Sequence, residues 1–192
     1  MIKATTDDKN LVLDLLSLSF NENQSVNYII RQDKNAKQRI RALMDYSFEV
    51  CQEFGDVWLS ENREACALVL YPHNKRTTVK SIWLDIRLIF QAIGLTNIQK
   101  ALGRETKIKT LQEKVKMSYL WFIGVDPQHQ HEGIGSNLLK EVIADAAKKD
   151  LPVYLETSTL KNLPWYKKFE FEIYNQLELG YTLFFLKHEP NK

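Results

Sequence analysis

An apolar run, Tyr119-Leu120-Trp121-Phe122-Ile123-Gly124-Val125, lies only eight residues ahead of a helical pattern that starts at Ile134. The run reads as a buried strand. In the pattern, Ile134, Leu138, Leu139, Val142, Ile143, Ala146 and Ala147 fall on one face, and Ser136, Asn137, Lys140, Glu141, Asp145, Lys148 and Lys149 fill the other. Such a strand–turn–helix unit needs a sheet to receive the strand and a layer for the apolar face of the helix, so the chain is committed to an α/β fold.

The join between the two carries the chemistry. Gly133 and Gly135 stand at the entrance to the helix. The first backbone N–H groups of a helix have no partner within it, and the summed peptide dipoles favour negative charge there. This is equipment for a phosphate or pyrophosphate. Three glycine patterns compete. A P-loop needs a Lys-Ser/Thr pair after its last glycine, which neither Gly133 nor Gly135 has. The dinucleotide fingerprint needs a glycine where Leu138 stands and a first glycine directly after the strand, although Glu156 sits where that fingerprint wants an acid. The third pattern, Gln/Arg-x-x-Gly-x-Gly/Ala, is met by Gln130-His131-Glu132-Gly133-Ile134-Gly135, preceded by Val125-Asp126-Pro127.

With these residues the chain resembles the GCN5-related N-acetyltransferases, the GNAT family. A second block supports the likeness: Tyr154-Leu155-Glu156-Thr157-Ser158, then Asn162, then Tyr166-Lys167-Lys168-Phe169-Glu170-Phe171. Its spacing is similar to the branch of antibiotic acetyltransferases of the puromycin type. Upstream, Met1–Thr5, Val57–Leu59 and Ala67–Pro72 look like the first three strands. The resemblance implies a GNAT-type mixed, largely antiparallel central sheet flanked by helices, in one domain over 1–192. It also implies acetyl-CoA as co-substrate, with its pyrophosphate on the amides of Glu132, Gly133, Ile134, Gly135 and Ser136, beside Gln130 and His131. The pantetheine arm would lie along Ile123, Gly124 and Val125, and Asn162 is a further cofactor contact or, equally, a helix cap.

For catalysis the resemblance assigns Tyr166 as general acid to the departing thiolate; otherwise Trp165, Tyr166 and Phe169 are core aromatics. The strand from Tyr119 to Val125 has no carboxylate. Glu156 is therefore the candidate base, with burial able to raise its pKa, or else a hydrogen-bonding group across the sheet. His129 and His131 read as loop residues. Two departures set expectations. An acid at Glu132 repels a pyrophosphate unless its side chain turns into water. Glu170 replaces the family's usual glycine, so the end of the Tyr166 helix is expected to differ.

Net charge of +2 gives no global field for nucleic acid, and no metal-ligand spacing is evident. Cys51 and Cys66, without redox spacing, suit a reducing compartment, and no signal peptide or membrane-length apolar run is visible. The reading is a cytoplasmic acetyltransferase of a small-molecule amine, with no nucleic-acid or membrane partner. A cofactor-binding sensor without turnover and a protein N-acetyltransferase are the alternatives. Helices are expected after Thr6-Asp7-Asp8, over Ala36–Phe54 with Gly55 as its cap, and over most of Thr78–Arg104 with a break at Gly94. The apolar Ser81–Leu95 segment suits an acceptor-pocket wall, core, or the surface of a homodimer. Lys100, Arg104, Lys107, Lys109, Lys114 and Lys116 read as a solvated helix and loop.

Overall fold

The computed structural model describes residues 1–190. In chain order its elements are β1 (Ile2–Lys3), α1 (Lys9–Ser19), α2 (Gln24–Ile29), α3 (Ala36–Phe54), β2 (Gly55–Leu59), β3 (Ala65–Leu70), α4 (Val79–Leu88), α5 (Ile98–Leu111), β4 (Ser118–Val125), α6 (Ile134–Lys148), β5 (Val153–Thr157), α7 (Leu163–Lys167), β6 (Glu172–Glu178) and β7 (Thr182–His188). The strands form one seven-stranded sheet in the order β1-β2-β3-β4-β5-β7-β6. Each pairing is antiparallel except β4 with β5. The mixed, largely antiparallel sheet expected from the sequence is the one observed.

Two apolar layers hold it. On one face α1 and α3 bury Val12, Leu16, Met44 and Phe48 against Leu59, Leu68 and Phe122. On the other, α6 buries Leu138, Leu139 and Val142 against Ala67, Val69, Leu120 and Leu155. Each fully buried leucine contributes about 1.5–3 kcal/mol over an exposed one. A smaller cluster, Ile108, Leu183 and Phe185, fixes α5 over β7. Among the described residues no helix is long and apolar enough to cross a membrane.

The feature that makes a site is the way β4 and β5 part. They pair only at Ser118 with Val153 and Tyr119 with Tyr154. Beyond that β4 runs on to Val125 and β5 to Thr157 without meeting. A bulge adds to the divergence: Leu68 faces Phe122 while the next residue, Val69, faces Leu120, leaving Trp121 as the extra residue. The bulge puts Tyr119, Trp121 and Phe122 together against the α1–α3 layer, whereas Ile123 and Val125 pack toward α6.

Several local expectations needed correcting. Gly55 ends α3 without a left-handed cap; its φ is −163° and it is already the first residue of β2. A side chain there would put Cβ 2.0 Å from the Val69 carbonyl oxygen, so the glycine serves strand packing. The polar run Asn21–Ser25, which by composition reads as a break after α1, already enters a short helix, α2, whose cap is Asn23 accepting from the Val26 N–H at 3.0 Å. The helical stretch after Thr78 is divided at Gly94 as expected, yet α5 continues past Arg104 to Leu111.

Candidate active site

Gly133 heads α6 in the left-handed conformation (φ 85°) with no side chain capping the helix. The N–H groups of Ile134, Gly135 and Ser136 therefore have no partner in the helix, and the first bond back runs from the Asn137 N–H to the Gly133 carbonyl at 3.0 Å. A Cβ on Gly133 would meet nothing within 4 Å, so the space before these amides is open. At Gly135 a Cβ would come 3.0 Å from Val125 Cγ2, and the glycine lets the helix start lie against the end of β4. Open amides, an uncapped helix start and an unobstructed approach fit the diphosphate of a CoA thioester.

The acid expected to trouble such a ligand is turned aside. Glu132 is exposed, stands outside the cleft lining, and has its carboxylate 3.4 Å from His129 Nδ1; on the other edge of that ring Glu64 lies 3.5 Å from Nε2. Gln130 and His131 are exposed at the cleft rim, His131 with φ 70°. Trp165 Nε1 donates to Ser136 Oγ at 2.9 Å, tying α7 to the glycine turn. The sequence reading treated Trp165 only as a core aromatic; its indole N–H was the overlooked signal.

From the turn a cleft of about 1760 Å³ runs between the parted strands. Ile123, Gly124 and Val125 line it, although the Val125 carbonyl is engaged by Ser19 Oγ at 2.9 Å. Asn162 lines it too, at the N-cap position of α7 but without a side-chain capping hydrogen bond. Tyr166 is buried on the wall, and burial alone pushes its phenol well above the ordinary value. The helix that carries it does not end differently for want of a glycine: Glu170 takes the left-handed conformation itself (φ 61°), and the Phe171 N–H reaches back to the Tyr166 carbonyl at 3.2 Å.

Glu156 also lines the cleft. One carboxylate oxygen accepts from Gln112 Nε2 at 2.8 Å and the other from the Tyr119 hydroxyl. Burial raises its pKa, opposed by these two hydrogen bonds and by the Arg104 charge. Glu156 thus bonds across the β4–β5 join, and burial raises its pKa. Tyr119 and Gln112 were missed as site residues. Tyr119 occupies the strand position where a carboxylate was sought, and it reaches the acid on the neighbouring strand instead.

The other half of the cleft is made of side chains from α2, α4 and α5. Ser81, Asp85, Leu88, Ile89 and Ile93 face the cavity. The outer side of the same segment is not core: Val79, Ile82, Trp83, Ile86 and Phe90 are 87%, 49%, 57%, 49% and 64% exposed. Tyr46 donates to Asp85 Oδ1 at 2.8 Å and meets Trp121 edge-on at 6.1 Å, and Phe122 and Phe20 continue the aromatic wall. In the basic stretch Lys107 and Lys109 are exposed as expected, Lys109 at the rim of the cleft, whereas Arg104 is half-buried on its wall.

Residues 92–173 match the family model described as acetyltransferase (GNAT) domain. An uncharacterized N-acetyltransferase of Schizosaccharomyces pombe is 36% identical over 73 residues, which is 38% of this chain and 29% of that protein. The chain thus spans under a third of the length of that curated relative. Among solved structures, the histone acetyltransferase HPA2 and related acetyltransferase of Corynebacterium glutamicum superposes with a TM-score of 0.74 at 21% identity, covering 100% of this chain and 96% of that one. Arylalkylamine N-acetyltransferase 2 of Aedes aegypti gives 0.64 at 13% identity, covering 99% and 98%. At these identities the structures speak for the fold, and the family model for residues 92–173, which hold the glycine turn. Residues 92–173 thus match an acetyltransferase (GNAT) domain, and the whole chain has the fold of the solved acetyltransferases, the architecture of an acyltransferase.

Proposed function

We propose that the protein transfers the acetyl group of acetyl-CoA directly to the primary amine of a small molecule, both substrates being bound at once. The observation that carries this reading is the parting of β4 from β5 after Tyr119 and Tyr154, which opens one cleft with uncapped amides at its mouth and Glu156 and Tyr166 on its walls. The amides of Ile134, Gly135 and Ser136 would hold the diphosphate, and Ile123 to Val125 with Asn162 would flank the pantetheine arm. Acetyl-CoA supplies an acetyl group already activated as a thioester.

The chain's own residues then have two protons to move. An amine with pKa about 10.4 is protonated at pH 7, and neutralising it costs about 4–5 kcal/mol without help. Glu156 accepts that proton, directly or through water, and its raised pKa makes it a stronger base than an exposed carboxylate. As the new C–N bond forms and the C–S bond breaks, the Tyr166 hydroxyl gives its proton to the departing sulfur, and the second proton of the acylated nitrogen restores that hydroxyl through water. Burial keeps that phenol protonated through the neutral range. No acyl-enzyme is required, and joint orientation in the cleft supplies much of the acceleration.

The same reading makes residues 1–192 a single domain working in the cytoplasm, consistent with the free buried thiols of Cys51 and Cys66. Likeness to the puromycin-type branch rests on Leu155 to Ser158, Asn162 and Tyr166 alone. Thermal unfolding with acetyl-CoA at a hundred times its dissociation constant should add about 2.7 kcal/mol of stability. Absence of any shift at millimolar acetyl-CoA sinks the assignment. Tyr166→Phe should lower the maximal rate by more than about tenfold with cofactor binding intact. A protein that binds acetyl-CoA, acetylates no amine and ignores that substitution is a sensor.

A further inference from the structure

The arginines of this molecule are mostly neutralised. Arg31 and Arg39 pair with Asp33, Arg41 with Asp14, Arg63 with Asp8 and Arg87 with Asp45. Arg76 and Arg104 have no ion pair among the described residues, and of these two cleft residues Arg76 is exposed while Arg104 is not. Arg104 lies half-buried on the cleft wall, and its partners are hydroxyls: Nε donates to Tyr181 Oη at 3.1 Å and Nη2 to Ser25 Oγ at 2.6 Å. Tyr181 Oη is itself 3.4 Å from Ser25 Oγ, so α2, α5 and the β6–β7 turn converge to fix one guanidinium. Among the described residues no carboxylate forms an ion pair with it. Glu156 feels its charge but forms no hydrogen bond or ion pair with it, and each of its oxygens keeps a lone pair beside the bond from Tyr119 or Gln112.

A half-buried guanidinium held in place by neutral groups retains N–H donors and an uncompensated charge, which is the arrangement that suits a carboxylate brought by a ligand. It stands near the proposed base, so the anion it binds must sit close to the reacting nitrogen. The same cleft is also lined by Phe20, Phe122, Trp121 and Tyr46, a continuous aromatic wall with ring centroids 5.0, 5.8 and 6.1 Å apart in turn. We propose that the acceptor is an α-amino acid with an apolar or aromatic side chain: Arg104 holds its carboxylate, Glu156 receives the proton from its amine, and the aromatic wall takes the side chain. This inference rests on the acetyltransferase reading of the cleft. In the reaction the ammonium gives one proton to Glu156, the nitrogen takes the acetyl carbon from sulfur, and the sulfur leaves with the Tyr166 proton; the nitrogen then loses its second proton, which restores the Tyr166 hydroxyl through water, giving an N-acetylamino acid and CoA.

The test pairs each amino acid with its decarboxylated counterpart: L-phenylalanine with 2-phenylethylamine, and L-leucine with 3-methylbutylamine. Binding to the protein is measured by calorimetry, and acetylation by CoA release. At least one amino acid should bind about tenfold or more tightly than its counterpart, a difference that Arg104→Gln erases through the amino acid alone. Tyr181→Phe, which keeps the arginine but removes one of its supports, should erode the same preference less. Equal or weaker binding of the amino acids in the wild-type protein overturns the proposal. So does an Arg104→Gln variant that loses activity equally on both members of a pair while its pH profile moves, because Arg104 would then act on Glu156. Tight amino-acid binding with no acetylation of any amine would keep the subsite and defeat the transferase reading instead.

Discussion

The two halves of the cleft are built on different principles. The half that faces the proposed donor is made of backbone: the edge of β4, the amides after Gly133, and a short α7 tied on by Trp165 and Ser136. Its parts come from Ile123 to Tyr166, a single continuous stretch of chain. The half that faces the acceptor is made of side chains carried by α2, α3, α4, α5 and β4, brought together from Phe20 to Trp121 and closed by Tyr181 in the last hairpin. A backbone site tolerates sequence change as long as glycines and helix phase remain. A side-chain site can be rewritten residue by residue without disturbing the fold. The molecule thus separates a constant task from a variable one.

That division can be broken at several points. The largest effect is expected where the halves meet: Glu156→Gln should lower turnover by about a hundredfold or more and abolish the rise of activity with pH that follows ionisation of the carboxyl. Stability should respond with the opposite sign. The folded pKa of Glu156 is raised above its ordinary value of 4.5, so its stabilising contribution is complete below that value and is lost as pH climbs through the folded pKa. Chemical denaturation from pH 4 to 8 should therefore show the glutamine variant gaining on the wild type as pH rises; a constant difference refutes the shift.

Next comes the backbone half. Gly135→Val places a side chain against Val125 and should raise the acetyl-CoA dissociation constant by about tenfold or more, while amino-acid or amine binding, followed by calorimetry, is retained. Loss of both ligands together would mean that the halves are not separable. Glu170→Gly should stabilise the fold by about 1 kcal/mol, because glycine adopts the left-handed conformation without the clash that a side chain suffers, and no activity should be lost. The smallest effect is expected from Glu132→Gln, whose acetyl-CoA affinity should stay within about twofold of wild type at moderate salt, the carboxylate already lying among His129 and Glu64. A tenfold tightening would place Glu132 on the ligand after all.

The same contrast explains what could be read from the sequence. The glycine turn, α6, β5 and the Tyr166 helix are contiguous, and their signals are local: a period, two glycines and a proline after the strand. The largely antiparallel sheet followed from strand patterning and the likeness it supported. Tyr119 bonding Glu156 depends on which residues of two strands lie side by side before they part, and periodicity does not reveal a register. The bulge at Trp121 reverses which residues face the acceptor side, and an apolar run conceals it completely. Arg104 looked like one member of a basic stretch because its distinguishing partners, Ser25 and Tyr181, are 79 and 77 residues away along the chain. Gly55 and Glu170 teach a smaller lesson. The same residue type ends one helix by strand packing, and a non-glycine residue accepts the left-handed cap at another, since tertiary contacts outweigh a preference of about 1 kcal/mol.

Most sheets have two rims, and this one has a third in its interior, where β4 and β5 stop meeting. An open rim on the outside of a protein invites neighbouring chains to add themselves and is a route to aggregation. Here the rim is recessed between helical walls, where a broad ribbon of another protein's backbone cannot enter but a slender amide-bearing filament can. Its hydrogen-bonding capacity is thereby held inside the cleft rather than along the outer margin of the sheet.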